Sequence, residues 1–148
     1  DVFDFAQQDK SFYLYDTFEG LSEAYSTEAE RAASPHDVFA QPHLHRAGAN
    51  RLAPYDNVHV IKGVVPDVLG ERSPEKIAFL HLDMNAAQAE TGTHEVLFER
   101  VVPGGHIVLD DFGRFHLQSL YTAETAWMKT RGYEILELPT GQGLVIKR

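Results

Sequence analysis

Short apolar runs that end in polar residues recur along the chain and predict a set of buried strands. Four of these runs cover residues 12–15, 58–61, 77–82 and 106–109. Each has the length of a strand and is bounded by polar, Gly or Pro residues, which is typical of strands in a packed core. Two further strands are predicted at residues 133–138 and 144–147, and the short loop between them indicates an antiparallel hairpin.

Helical patterns separate the strands. Helices are predicted at residues 22–33, which are rich in Glu and Ala, and at residues 86–101 and 116–131, where apolar positions follow helical spacing. We expect Ser22 or Ser26 to cap the first helix and Gly132 to end the last.

Three other segments are harder to assign. A short helix is expected to begin at residues 66–69, and Pro103-Gly104-Gly105 indicates a turn. Residues 34–57 contain three prolines and few periodic apolar positions, so we expect an irregular lid or a loosely helical insertion there.

The alternation of strands and helices predicts an α/β fold for residues 1–148, taken as one domain. Its sheet is expected to be mostly parallel and covered by helices, with an antiparallel hairpin at the C-terminal edge. Ligands of such sheets bind beyond the C-terminal ends of the strands. Four predicted strands end on that rim in polar or Gly positions, namely Asp16, Gly63, Asp83 and the pair Asp110-Asp111.

Composition narrows the classes of partner. The formal net charge of -9 argues against nucleic acid or an anionic membrane as the main partner, because both favour clusters of Lys and Arg. The chain has no cysteine, which excludes disulfides and thiolate metal sites. No apolar run approaches the roughly 20 residues of a membrane span, and no signal-peptide pattern is present, so a cytoplasmic location is the default expectation.

Asp83, Asp110 and Asp111 are the candidate metal ligands. Mg²⁺ or another hard divalent cation prefers oxygen ligands, and without a cation these like charges would repel one another and raise their pKa values. The alternative is that one aspartate caps a helix while another is solvated. Asn85 is a candidate for a further ligand or substrate contact, or for a helix N-cap.

Other polar residues have weaker signals. Asp16 is placed to accept hydrogen bonds from ribose hydroxyls or, alternatively, to cap a turn. His116 is a candidate substrate contact or proton acceptor. We interpret His43 and His45 as solvated loop residues, since no third zinc ligand is near in sequence, and His81 as a buried, hydrogen-bonded residue. The chain has no phosphate-binding Gly-rich motif and no Gly-x-Ser-x-Gly elbow.

Several segments together resemble the class I S-adenosylmethionine-dependent methyltransferases of the macrocin O-methyltransferase type. They are Tyr13–Gly20, Ile61–Pro66, Ile77–Asn85, Val102–Gly113 and Leu138–Lys147. The resemblance implies a Rossmann-like fold and metal-assisted methyl transfer from S-adenosylmethionine to a hydroxyl of a small molecule.

The resemblance also implies roles for individual residues. Asp16 would bind the ribose of the donor, with Gly63 and Val64 beside the adenine. Asp83, Asp110 and Asp111 would hold Mg²⁺, and Asp83 would also accept the proton.

The chain departs from the family at two places. The family's first strand, whose Gly-rich loop wraps the donor, is not seen; in the family it lies between the strands at 12–15 and 77–82. We therefore expect that the chain is a fragment with an N-terminally incomplete fold, that these two strands pair directly, or that another chain, such as a second copy, fills the gap. Met84-Asn85 also replaces a segment in which many members have a further acidic residue.

Two other functional classes stay open at this stage. One is a non-catalytic remnant of the same fold that serves as a binding or assembly module. The other is a phosphotransfer receiver domain, which also gathers acidic residues around Mg²⁺, although the predicted terminal hairpin argues against it.

Overall fold

The computed structural model describes residues 5–34, 40–70 and 72–148, and these ranges form six strands and four α-helices. The strands are β1 (Phe12–Asp16), β2 (Val58–Lys62), β3 (Ile77–Leu82), β4 (Val101–Leu109), β5 (Leu136–Glu137) and β6 (Gly143–Ile146). The helices are α1 (Glu28–Ala33), α2 (Pro42–Leu52), α3 (Ala87–Leu97) and α4 (Gln118–Thr130), with short 3₁₀ turns at Phe5–Gln7 and Phe98–Arg100.

The strands form two sheets. β1 pairs in parallel with β2, and a second sheet has the strand order β3-β4-β6-β5. β3 and β4 are parallel, whereas β6 runs antiparallel to both β4 and β5. The predicted α/β class with a C-terminal antiparallel hairpin is thus confirmed, although β5 is only two residues long.

Direct pairing of β1 with β3, one of the three expectations for the gap in the sheet, is wrong for the part of the chain that the structure describes. There β1 is hydrogen-bonded only to β2, and β3 only to β4. β1 approaches the second sheet through side chains instead: Tyr15 packs against the core and donates its hydroxyl to the Arg72 carbonyl at 2.7 Å. Phe12 on β1 and Phe79 on β3 are left 45% and 58% exposed.

The main core lies between the second sheet and helices α3 and α4. The sheet contributes Ile107 and Val145, and the helices contribute Leu97 and Met128, all 3% exposed or less. Burying such a side chain stabilises the fold by about 1.5–3 kcal/mol. Within the described ranges, no helix is long and apolar enough to cross a bilayer.

The boundary between α3 and β4 differs from the prediction. The helix stops at Leu97 and a 3₁₀ turn follows, so the predicted helix at 86–101 was too long. Pro103-Gly104-Gly105 lies inside β4 and forms an irregular bulge there, with Ile77 opposite Val101 but Phe79 opposite His106. Gly104 has a φ of +81°, which a residue with a side chain rarely adopts.

Two predicted helix starts are also corrected. α1 begins after Thr27, not after Ser22 or Ser26, because Thr27 and Glu30 form a reciprocal capping box. Residues 66–69 make a hydrogen-bonded turn and no helix.

The segment predicted as a lid or insertion contains α2, and its residues 35–39 lie outside the described residues. Gly132, with a φ of +75°, follows α4 as predicted.

Candidate functional site

The strand ends bring four predicted site residues to one rim. The parallel register of β1 and β2 places the Gly63 N–H 3.0 Å from the Asp16 carbonyl oxygen. The parallel register of β3 and β4 continues into a 2.9 Å hydrogen bond from the Asp110 N–H to the Leu82 carbonyl. Asp83 therefore follows β3 directly beside the start of the Asp110-Asp111 pair.

The three candidate metal ligands form a cluster. Asp83, Asp110 and Asp111 each offer a carboxylate oxygen within 4.8 Å of the other two. Asp83 is exposed, and Asp110 and Asp111 are partly buried. In the described residues they are the sole group of three or more His, Cys, Asp or Glu side chains gathered in this way.

One oxygen of each carboxylate is held by a neighbour. Asp110 Oδ1 accepts from Gln142 Nε2 at 2.7 Å and lies 3.2 Å from His81 Nε2. Asp111 Oδ1 accepts from Arg114 Nε at 3.0 Å, and Asp83 Oδ1 lies 3.5 Å from the side-chain nitrogen Nδ2 of Asn85. No described residue donates a hydrogen bond to the Oδ2 atom of any of the three. Three oxygens are thus available to a cation.

The electrostatics differ between the members of the cluster. Partial desolvation of its carboxylate raises the pKa of Asp83, and the negative charges of Asp110 and Asp111 raise that pKa further. The hydrogen bond from Gln142 is the largest effect that holds the pKa of Asp110 below its ordinary value, and His81 adds to it. A cation bound by the cluster would remove the repulsion that acts on Asp83.

A cavity adjoins the cluster between the two sheets. It is lined by residues 15–17, 20–22, 63–65 and 83–86, together with Tyr25 and Ala89. Asp16, Gly63, Val64 and Asp83 all contribute to this wall, so the predicted donor-binding residues and one predicted metal ligand share one cavity.

Local packing explains two of these wall residues. A Cβ at Gly63 would lie 2.1 Å from Val68 Cγ1, so a glycine is required there by the close approach of the chain. Asp16 Oδ1 accepts from the Phe18 N–H at 2.5 Å, an Asx-type turn that orients the carboxylate.

The histidines fall into different places. His116 is exposed on the loop after Asp111, and it makes no hydrogen bond or ion pair with the cluster in the described part of the chain. His43 and His45 lie on helix α2 and not in a loop. Residues two positions apart on a helix do not face each other, so this pair is poorly arranged to bind one metal ion. His81 is hydrogen-bonded as predicted, but its side chain is 43% exposed, because β3 is an edge strand in the described sheet.

The sequence interpretation missed two sets of residues. Gln142 precedes Gly143, whose antiparallel pairing with Leu109 places the hairpin loop beside Asp110. That register could have been derived from the predicted hairpin. The second set, Glu90, His94 and Glu124, is buried between α3 and α4. The sequence feature that could have indicated this second set is the presence of ionisable residues on the apolar faces of predicted helices.

Comparisons with known proteins agree with this arrangement. The structure of the O-methyltransferase NovP superposes with a TM-score of 0.79 at 17% identity, over 95% of this chain and 61% of that one. The calicheamicin methyltransferase CalS11 gives 0.63 at 14% identity, over 92% and 60%. A putative caffeoyl-CoA O-methyltransferase from Staphylococcus aureus gives 0.59 at 15% identity, over 94% and 76%.

These likenesses show the α/β methyltransferase fold. The chain spans about three fifths of the length of NovP and CalS11. No curated protein gives a significant sequence match. The sequence profile of the macrocin O-methyltransferase family (TylF) matches residues 3–133. This chain therefore belongs to the macrocin O-methyltransferase family.

Proposed function

We propose that the chain carries the acceptor and metal side of an S-adenosylmethionine-dependent O-methyltransferase that acts on a hydroxyl of a small molecule. The observation that supports the proposal best is the shared rim. Asp83 lines a cavity whose wall also contains Asp16, Gly63 and Val64, and its carboxylate is clustered with those of Asp110 and Asp111. The NovP and CalS11 likenesses and the family membership are consistent with this activity.

The donor side of the proposal rests on the wall formed by β1 and β2. Asp16 Oδ1 is held by the Phe18 N–H, so Oδ2 is left to accept hydrogen bonds from ribose hydroxyls. Gly63 and Val64 present a small, apolar surface for the adenine. Bound there, S-adenosylmethionine would supply the sulfonium methyl group.

The donor set of the cluster fits Mg²⁺ or another divalent cation. Octahedral ligands at 2.0–2.1 Å lie about 3–4 Å apart, so oxygens already within 4.8 Å need only small side-chain rotations. A bound cation would hold two acceptor oxygens and lower the pKa of the reacting hydroxyl.

The chain's own residues would complete the reaction by orientation and proton transfer. Asp83 belongs both to the cluster and to the cavity wall, where it would be able to accept the proton of the attacking hydroxyl. His116, exposed on the loop beyond Asp111, would contact the acceptor. Alignment of donor and acceptor for in-line transfer is the remaining contribution.

A second candidate is a non-catalytic binding or assembly module. The separation of β1 from β3, each with an edge that has no strand partner in the described residues, favours it. An edge of this kind is a template for another strand. A second copy of the chain is one such partner.

Calorimetric titration with S-adenosylmethionine, with and without Mg²⁺, separates the two candidates. The methyltransferase proposal predicts saturable donor binding that Asp16→Asn weakens by about tenfold, equivalent to about 1.4 kcal/mol. Asp56→Asn, at an exposed aspartate outside the cavity, is the matched control. Donor binding that is absent under both conditions would favour the module.

A further inference from the structure

A buried group of ionisable side chains contacts the turn that follows Asp83. Glu90 and His94 lie on α3 and Glu124 lies on α4, and all three are 2% exposed or less. Glu124 Oε2 is 2.7 Å from His94 Nε2, and the Glu90 carboxyl is within hydrogen-bond reach of Glu124. Charged groups are rarely buried this completely unless they are paired or have a specific role.

A hydrogen bond joins this group to the site. Glu90 Oε1 accepts a 3.1 Å hydrogen bond from the backbone N–H of Met84. Met84 connects Asp83, in the cluster, to Asn85, whose φ of +53° is unusual for a residue other than glycine. The side chain of Glu90 therefore holds the turn that follows β3 at its middle residue.

This turn belongs to both halves of the site. Asp83 is a member of the cluster, and residues 83–86 line the cavity. If the Met84 N–H lost its partner, a partly buried donor would be left unsatisfied, and the turn would relax away from the conformation that holds Asp83 beside the other two carboxylates.

We infer that Glu90 is a positioning residue, which fixes the Asp83–Asn85 turn and so holds the carboxylate of Asp83 in place for a divalent cation. The inference rests on the proposed metal-assisted function. Glu90 acts through the backbone of Met84 and touches neither the cation nor the acceptor.

The protonation state of Glu90 makes the role testable. Burial raises the pKa of Glu90 well above its usual range, and the negative charge of Glu124 raises it further, so a neutral carboxylic acid is favoured. A neutral acid that accepts from Met84 with Oε1 would be able to donate with its other oxygen to Glu124, whose Oε1 has no hydrogen-bond partner among the described residues. Glutamine reproduces both hydrogen bonds: its carbonyl accepts and its amide donates.

The test is the affinity of the unsubstituted chain and four variants for Mn²⁺, measured by electron paramagnetic resonance, with the thermal midpoint recorded for each. Glu90→Met and Glu90→Asp remove the contact with Met84, and we expect each to weaken Mn²⁺ binding by about tenfold. Glu90→Gln is expected to stay within about threefold of the unsubstituted chain, because it keeps the contact. If Glu90→Met does not fold, Glu90→Asp alone provides the test of the lost contact.

Glu124→Met is the matched control, since it disrupts the same buried group without touching Met84. It is expected to lower the thermal midpoint but leave the Mn²⁺ affinity within about twofold. Unchanged affinity in Glu90→Met and Glu90→Asp would overturn the inference, and so would equal weakening in Glu90→Gln or Glu124→Met. No Mn²⁺ binding by the unsubstituted chain would overturn the proposed function, and the inference with it.

Discussion

The carboxylate of Glu30 accepts a 3.0 Å hydrogen bond from the backbone N–H of Ala87, which lies 57 residues further along the chain. Ala87 begins α3, and the residue before it, Ala86, offers no side-chain cap. The same carboxylate accepts from Ser119 Oγ at 2.9 Å, one residue into α4. A residue of α1 thus caps α3 in place of a local residue and joins three helices behind the cavity.

We expect Glu30→Ala to destabilise the fold by roughly 1–3 kcal/mol, because it removes a buried carboxylate and leaves the partly buried Ala87 N–H without a partner. The free energy of unfolding in urea measures the effect. Glu28→Ala, on the exposed side of the same helix, is the matched control and is expected to cost only a few tenths of a kcal/mol. Equal losses in the two variants would show that Glu30 has no special role.

The raised pKa of Glu90 predicts a pH-dependent loss of stability. Below the ordinary glutamate pKa, the folded and unfolded states are both protonated at this residue. As the pH rises above that value, the unfolded chain ionises while the folded chain keeps its proton, so stability falls until the pH reaches the raised pKa of the folded state.

Glu90→Gln removes this pH dependence, so its stability relative to the unsubstituted chain should improve as the pH rises from about 4.5, near the ordinary glutamate pKa, to about 8. Urea unfolding at both pH values measures the change. Glu134→Gln, at an exposed position, is the control and should show no such trend. A stability difference between Glu90→Gln and the unsubstituted chain that does not change with pH would contradict the prediction.

The hydrogen bond from Gln142 to Asp110 predicts a titration effect. Because this bond is the largest effect that lowers the pKa of Asp110, Gln142→Ala should move that pKa upward. Carbon-13 NMR titration of the aspartate carboxyl groups detects the change in the metal-free chain. Gln88→Ala, at an exposed position on α3, should leave the titration curve unchanged. If the titration curve of the Asp110 carboxyl group is the same in both variants, the hydrogen bond from Gln142 does not lower the pKa of Asp110.

The fold was readable from sequence where local patterns decide it. The run at residues 77–82 coincides with β3, because a continuous apolar stretch bounded by polar residues has few alternatives to a strand. The start of α1 was predicted too early, although Thr27 and Glu30 have the spacing of a capping box and could have indicated the correct start. The bulge in β4 could not be predicted, since it depends on the partner strand β3.

The candidate site divides in the same way. The carboxylates at the ends of β3 and β4 were predicted to meet, because the ends of parallel strands share an edge. The contact between Glu90 and Met84 depends on how α3 packs against the second sheet, which local patterns do not specify. His81 was expected to be buried, and its exposure follows from the position of β3 at the edge of its sheet.

The central claim is that Asp83, Asp110 and Asp111 together hold one divalent cation, and its most direct test is a Mn²⁺ titration followed by electron paramagnetic resonance. We expect one site per chain, weakened by about tenfold or more in each of Asp83→Asn, Asp110→Asn and Asp111→Asn. Glu75→Gln, at an acidic residue outside the cluster, should bind like the unsubstituted chain. Binding that survives unchanged in all three aspartate variants, or that Glu75→Gln weakens equally, would contradict the claim.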